Sequence, residues 1–84
     1  MYYNLRFCVK ETVEPQCVDD VQIYSGRVVE EKVVRRDSRS NYIRHEAHLP
    51  SLNSANKYIS HCYTTYGVNF YIEKFSLCSL VSSG

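Results

Sequence analysis

The stretch that decides the fold runs from Ser51 to Leu77: Ser51-Leu-Asn-Ser-Ala-Asn-Lys-Tyr-Ile-Ser-His-Cys-Tyr-Thr-Thr-Tyr-Gly67, then Val68-Asn-Phe-Tyr-Ile-Glu-Lys-Phe-Ser-Leu77. Its spacing predicts an amphipathic helix, a glycine stop and a strand. Ser51 is placed to cap the first turn, where backbone N–H groups have no intrahelical partner. Leu52, Ala55, Ile59, Cys62 and Tyr66 recur at three- and four-residue intervals and so share one face. Tyr58 and Tyr63 flank that stripe, with phenol tips that can reach water. Gly67 supplies the left-handed residue that commonly ends a helix. Val68, Phe70 and Ile72 then alternate with Asn69, Tyr71 and Glu73, the period of a strand with one apolar face.

Working outward, Tyr2–Lys10 reads as a first strand, with Tyr3, Leu5 and Phe7 on one side and Asn4, Arg6 and Cys8 on the other. Residues 11–16 form a connection, since Pro15 argues against a central strand. Val21–Tyr24 alternates like a short strand, and Ser25-Gly26 marks a turn. The valines of Arg27–Arg36 favour a strand, although their spacing fits strict alternation only if a bulge shifts the face. A helix is the alternative there, with Val29 and Val33 one turn apart. A polar loop leads to a returning strand, Tyr42–His48, closed by Leu49-Pro50. The expected order is β-β-β-β-α-β: an α+β domain spanning residues 1–84, with an antiparallel sheet of four to five strands and one helix across one face. Residues 79–84 are expected to fray.

Composition narrows the function classes. Lys and Arg total 10 against 9 Asp and Glu, so net charge alone points to neither nucleic acid nor membrane. Eight tyrosines suit a half-buried sheet face or an interface. The start of the sequence has no basic segment followed by an apolar run, and no stretch is apolar enough to cross a membrane; a cytoplasmic protein is expected. Cys8, Cys17, Cys62 and Cys78 allow two disulfides, but without an export signal they are expected to be reduced and structural.

The candidate chemistry is sparse. Arg27, Lys32, Arg35, Arg36, Arg39 and Arg44, with Tyr42, form a basic hairpin able to grip phosphates, but Glu30, Glu31, Asp37 and Glu46 are interleaved with them. Tyr71 offers a second aromatic on the amphipathic side of the last strand. His45 and His48 would point to opposite faces of a strand, which is poor for one metal, and no CxxC or CxxH is present. His61 and Cys62 are neighbours on a helix and cannot face each other. No glycine-rich phosphate loop occurs. Neither an enzyme nor a cofactor or metal protein is expected.

Two functions fit this pattern: a protein-interaction module acting by occlusion, and a nucleic-acid-binding domain using the 27–44 hairpin. The Met1-Tyr-Tyr-Asn start running directly into a strand, and the Leu49-Pro-Ser-Leu-Asn-Ser-Ala-Asn-Lys-Tyr-Ile stretch running into Tyr66-Gly-Val-Asn-Phe-Tyr-Ile-Glu-Lys-Phe, resemble the compact accessory proteins of bacteriophages and prophages, including anti-CRISPR and other counter-defence proteins. The resemblance implies a stoichiometric inhibitor that binds and blocks a host defence complex in the bacterial cytoplasm. It carries no motif that assigns individual residues. A homodimer is compatible with a chain of this size.

Overall fold

A computed structural model describes residues 1–13, 16–36 and 40–79, the side chain of Gln16 excepted. Four strands, β1 (Tyr2–Lys10), β2 (Arg27–Arg35), β3 (Asn41–Leu49) and β4 (Phe70–Cys78), form one antiparallel sheet in the order β2-β3-β1-β4. β1 pairs with both β3 and β4, and β2 with β3. The long helix α2 (Leu52–Tyr66) connects β3 to β4 across β1. A broken helical segment connects β1 to β2 across β3: 3₁₀ turns at Glu11–Val13 and Asp20–Tyr24, with the short helix α1 (Gln16–Asp19) between them. This order and connectivity are those of the split β-α-β, or ferredoxin-like, motif, with its first helix reduced to fragments.

Ser51 caps α2 in a reciprocal pair. Its hydroxyl accepts from the Ser54 N–H at 3.1 Å, and the Ser54 hydroxyl accepts from the Ser51 N–H at 3.4 Å. Gly67, at φ 58°, ends the helix, and its N–H donates to the Tyr63 carbonyl. The strand does not begin at once: Gly67–Asn69 make a 3₁₀ turn, and Val68 is 94% exposed instead of joining the strand's apolar face. β2 is a strand and not a helix, and the expected bulge lies between Val28 and Glu30. A second bulge interrupts β4, where Arg6 aligns with Lys74 but Phe7 aligns with Ile72, leaving Glu73 as the additional residue.

The core lies between the sheet and the helical layer. Leu5, Phe7 and Val9 of β1, Ala47 and Leu49 of β3, and Phe70 of β4 meet Ala55, Tyr58, Cys62 and Tyr66 of α2 and Val18 and Val21 of the first connection. The buried stripe of α2 therefore differs from the sequence reading. Tyr58 is wholly buried, while Leu52 is 48% exposed. The Tyr58 hydroxyl donates to the Cys17 carbonyl at 3.1 Å instead of reaching water.

That contact belongs to a clasp. The Tyr66 hydroxyl accepts from the backbone N–H groups of Cys17 (2.7 Å) and Val18 (3.3 Å). A Cys17–Cys62 disulfide joins the same two elements, with Cα atoms 5.6 Å apart. The expectation of four reduced cysteines is thus corrected: Cys8 and Cys78 are free, and the other two are bonded. Val21–Tyr24 is not a strand either. The Ser25 N–H closes a 3₁₀ turn on the Gln22 carbonyl, the Gly26 N–H reaches back five residues to the Val21 carbonyl, and Val21 is buried under α2. A four-residue apolar alternation is satisfied as well by a tight helical turn when a partner helix supplies the packing surface. Gly26 lies so close to β3 that a Cβ would stand 2.8 Å from the His48 carbonyl oxygen, too near for any other residue without movement.

Candidate functional site on the open face of the sheet

Strand alternation divides the side chains between two environments. Among the described residues no helix covers the face opposite the core. On that face β1 contributes Tyr2, Asn4, Arg6, Cys8 and Lys10, and β3 contributes Tyr42, Arg44, Glu46 and His48, aligned by the β1–β3 register. β2 adds Glu30, Lys32 and Val34 opposite Glu46, Arg44 and Tyr42. β4 adds Tyr71 beside Cys8, and the bulge brings both Glu73 and Lys74 to the same side.

The candidate residues separate accordingly. At the hairpin end, the Arg36 guanidinium lies 4.3 Å from the ring centre of Tyr71 and 5.2 Å from that of Tyr42, and the two rings meet edge to face at 5.4 Å. Arg44 and Lys32 lie next to this group in register. Arg27 aligns with His48 at the far end of the sheet. Arg35 follows Val34 and falls on the other side of the strand. Arg39 lies outside the described residues.

Ion pairs order the centre. The Arg44 guanidinium grips both Glu73 oxygens, with Nη2 to Oε2 at 2.7 Å. Arg6 approaches Glu46 at 3.5 Å, Asn4 donates to the same carboxylate at 2.8 Å, and Lys32 lies 3.0 Å from Glu30. The Arg44 bridge lowers the Glu73 carboxyl below the ordinary value and raises the Arg44 guanidinium. The hydrogen bond from Lys32 lowers Glu30. Cys8 is fully buried yet absent from the core beneath the helices; side chains of the open face cover it. Burial raises its thiol pKa, and burial also raises the Tyr71 phenol, with a hydrogen bond to Cys8 adding to the effect. Both groups are protonated at neutral pH, so Cys8 is no nucleophile there.

Among the described residues the charges of the open face do not cancel in space: Arg6, Lys10, Arg27, Lys32, Arg36, Arg44 and Lys74 stand on it or its rim against Glu30, Glu46 and Glu73, seven cations to three carboxylates. Glu11, Asp19 and Asp20 lie in the helical connection, and Glu31 turns to the core side, 3.9 Å from His45. His45 and His48 do point to opposite faces: His45 is buried beside Phe7, while His48 packs against Tyr2 with ring centres 4.1 Å apart and planes tilted by 36°. His61 pairs with Asp20 at 2.9 Å, away from this face. Among the described residues no group of three or more His, Cys, Asp or Glu side chains is placed to hold a metal ion.

Sequence reasoning missed Lys10, Lys74 and the Tyr2–His48 pair. The alternation of β1 marks Tyr2 and Lys10, but only the strand order shows which faces coincide. No helix of the described residues is long and apolar enough to cross a membrane. No protein-family model, curated protein or solved structure matches the chain.

Proposed function

We propose that the protein binds single-stranded nucleic acid across the open face of its sheet. The observation that carries this reading is the convergence of the Arg36–Tyr71–Tyr42 cation–aromatic cluster with a cationic excess, among the described residues of the face, that net charge conceals. A single strand exposes the faces of its bases, and aromatic rings or guanidinium planes on a sheet stack them while cations neutralise the phosphates. A duplex hides those faces. Arg36 caps the Tyr71 ring, so an incoming base either stacks on the guanidinium or displaces it toward a phosphate. The face needs no catalytic group for this role, and the protein is read as a binding module and not an enzyme.

The decisive measurement is fluorescence anisotropy with labelled single-stranded DNA and RNA over a salt series. Neutralising three or four phosphates gives a slope of about −2 to −3 in log K against log salt. Arg36→Ala and Tyr71→Ala should each weaken binding by about tenfold, the low-to-middle range for loss of one stacking partner. No anisotropy change at low salt would refute the proposal. The blocking of a host defence complex, suggested by the resemblance to phage counter-defence proteins, would instead give nuclease-resistant recovery of a protein partner in an affinity pull-down. A nucleic-acid partner fits the expected bacterial cytoplasm, whereas a persistent Cys17–Cys62 bond fits an oxidising compartment. Alkylation of protein taken directly from cells distinguishes the two.

A further inference from the structure

The cation–aromatic cluster at the hairpin end has a counterpart at the opposite end of the same face. There the rings of Tyr2 and His48 pack against each other, and Arg27 aligns with His48 across the β2–β3 ladder. Beside them opens a cleft of about 270 Å³, whose walls include Tyr2, Ser25, Gly26, Arg27 and His48. The close approach of Gly26 to β3 forms one wall. Burial and the nearby Arg27 both lower the His48 pKa, with Glu46 opposing them, which favours the neutral imidazole beside the charged guanidinium. A tilted pair of packed rings, one permanent cation and the Ser25 hydroxyl around a small cleft make a fit for a nucleotide: the base against a face of Tyr2 or His48, the phosphate on Arg27.

We infer that this cleft is a second nucleotide subsite, which holds one end of the strand whose other end lies on Tyr42 and Tyr71. The inference rests on the nucleic-acid reading of the open face. Tyr42 and His48 are six residues apart on β3, and a strand rises about 3.4 Å per residue, so the two stations stand roughly 20 Å apart. Arg6, Lys32 and Arg44 lie between them. That span suits a segment of about four nucleotides, the short end of the range for single-strand binding sites. The two stations therefore act on one ligand, and a ligand too short to span them engages one at a time.

The test is an anisotropy titration of wild-type protein, Tyr2→Ala, Arg27→Gln and Tyr71→Ala with labelled oligothymidylates of two, four, six and eight nucleotides. Affinity should rise steeply between two and six nucleotides and then level off. Tyr2→Ala and Arg27→Gln should each lower affinity for the hexamer and octamer by about tenfold and flatten the length dependence. Tyr71→Ala should weaken binding at every length. Arg27→Gln keeps the strand's apolar residues in place, so a folding defect in Tyr2→Ala leaves one variant to decide. Tight binding that depends on Tyr71 at all lengths and on neither Tyr2 nor Arg27 overturns the second subsite while leaving the nucleic-acid reading intact. Failure of the wild-type protein to bind any of the oligomers overturns both.

Discussion

Removing the Cys17–Cys62 bond should cost the domain a large part of its stability. The two cysteines are 45 residues apart, more than half of an 84-residue chain. Opening a loop of that length returns loop-closure entropy to the unfolded chain worth about 4 kcal/mol at 25 °C. A domain of this size has a total stability of roughly 4–13 kcal/mol. Its unfolding entropy near the midpoint is about 180 cal/mol/K, so the same loss should lower Tm by about 20 °C. The hydroxyls of Tyr58 and Tyr66 remain on the Cys17 and Val18 backbone after reduction and keep the connection docked, which should leave the far-UV spectrum of the folded form unchanged. The assay is a thermal melt followed by circular dichroism on oxidised protein, on protein reduced with a membrane-permeant phosphine, and on the Cys17→Ser/Cys62→Ser pair. Thiol titration in denaturant should find two free thiols before reduction and four after. A shift below about 3 °C, with four thiols confirmed, would refute the assignment of loop-closure stabilisation to this bond.

Two other perturbations probe the clasp and the open face. Tyr66→Phe removes the acceptor of two buried N–H groups and should cost about 2–4 kcal/mol, whereas Tyr58→Phe removes a single donor and should cost about 1 kcal/mol; urea unfolding midpoints give the order. Glu73 has a folded-state pKa below its ordinary value of 4.5, so its stabilising contribution is present above pH 4.5 and disappears as pH falls through the folded value. Glu73→Gln should therefore cost about 1 kcal/mol at neutral pH, and the difference from wild type should shrink as pH falls below 4.5 through the folded value, read from denaturation across an acid pH series.

The parts of this fold legible in the sequence are those set by neighbours along the chain. Ser51, Gly67 and the period of α2 are local signals, and so is the valine spacing that implies a bulge in β2. The role of Tyr58 was not legible, because a phenol at the flank of a stripe is buried only if something offers its hydroxyl a partner, and that partner is a carbonyl 41 residues away. The disulfide depends in the same way on how the first connection docks. Residues 21–24 carry an apolar alternation that serves a 3₁₀ turn or a strand equally, and the packing against α2 decides. The candidate site was half visible. Arg36, Tyr42, Arg44 and Tyr71 were singled out by type, but their convergence requires β3 to lie one strand away from β4, with β1 between them. The charge of the face was hidden for a similar reason: Glu30-Glu31-Lys32 is net acidic in line, yet alternation sends Glu31 to the core side and leaves Glu30 and Lys32 paired on the open one.

The two interruptions of the hydrogen-bond ladder have a consequence for how the molecule behaves among its copies. Both fall where β2 and β4 pair with their inner neighbours, and β1 and β3 run together in unbroken register. β2 and β4 are the outer strands, whose unpaired N–H and C=O groups offer a template to any other extended chain. A bulge twists such an outer strand and breaks the even spacing that a newcomer must match. Each margin of the sheet thus carries its own interruption, which disfavours edge-to-edge growth into a longer sheet or a fibril.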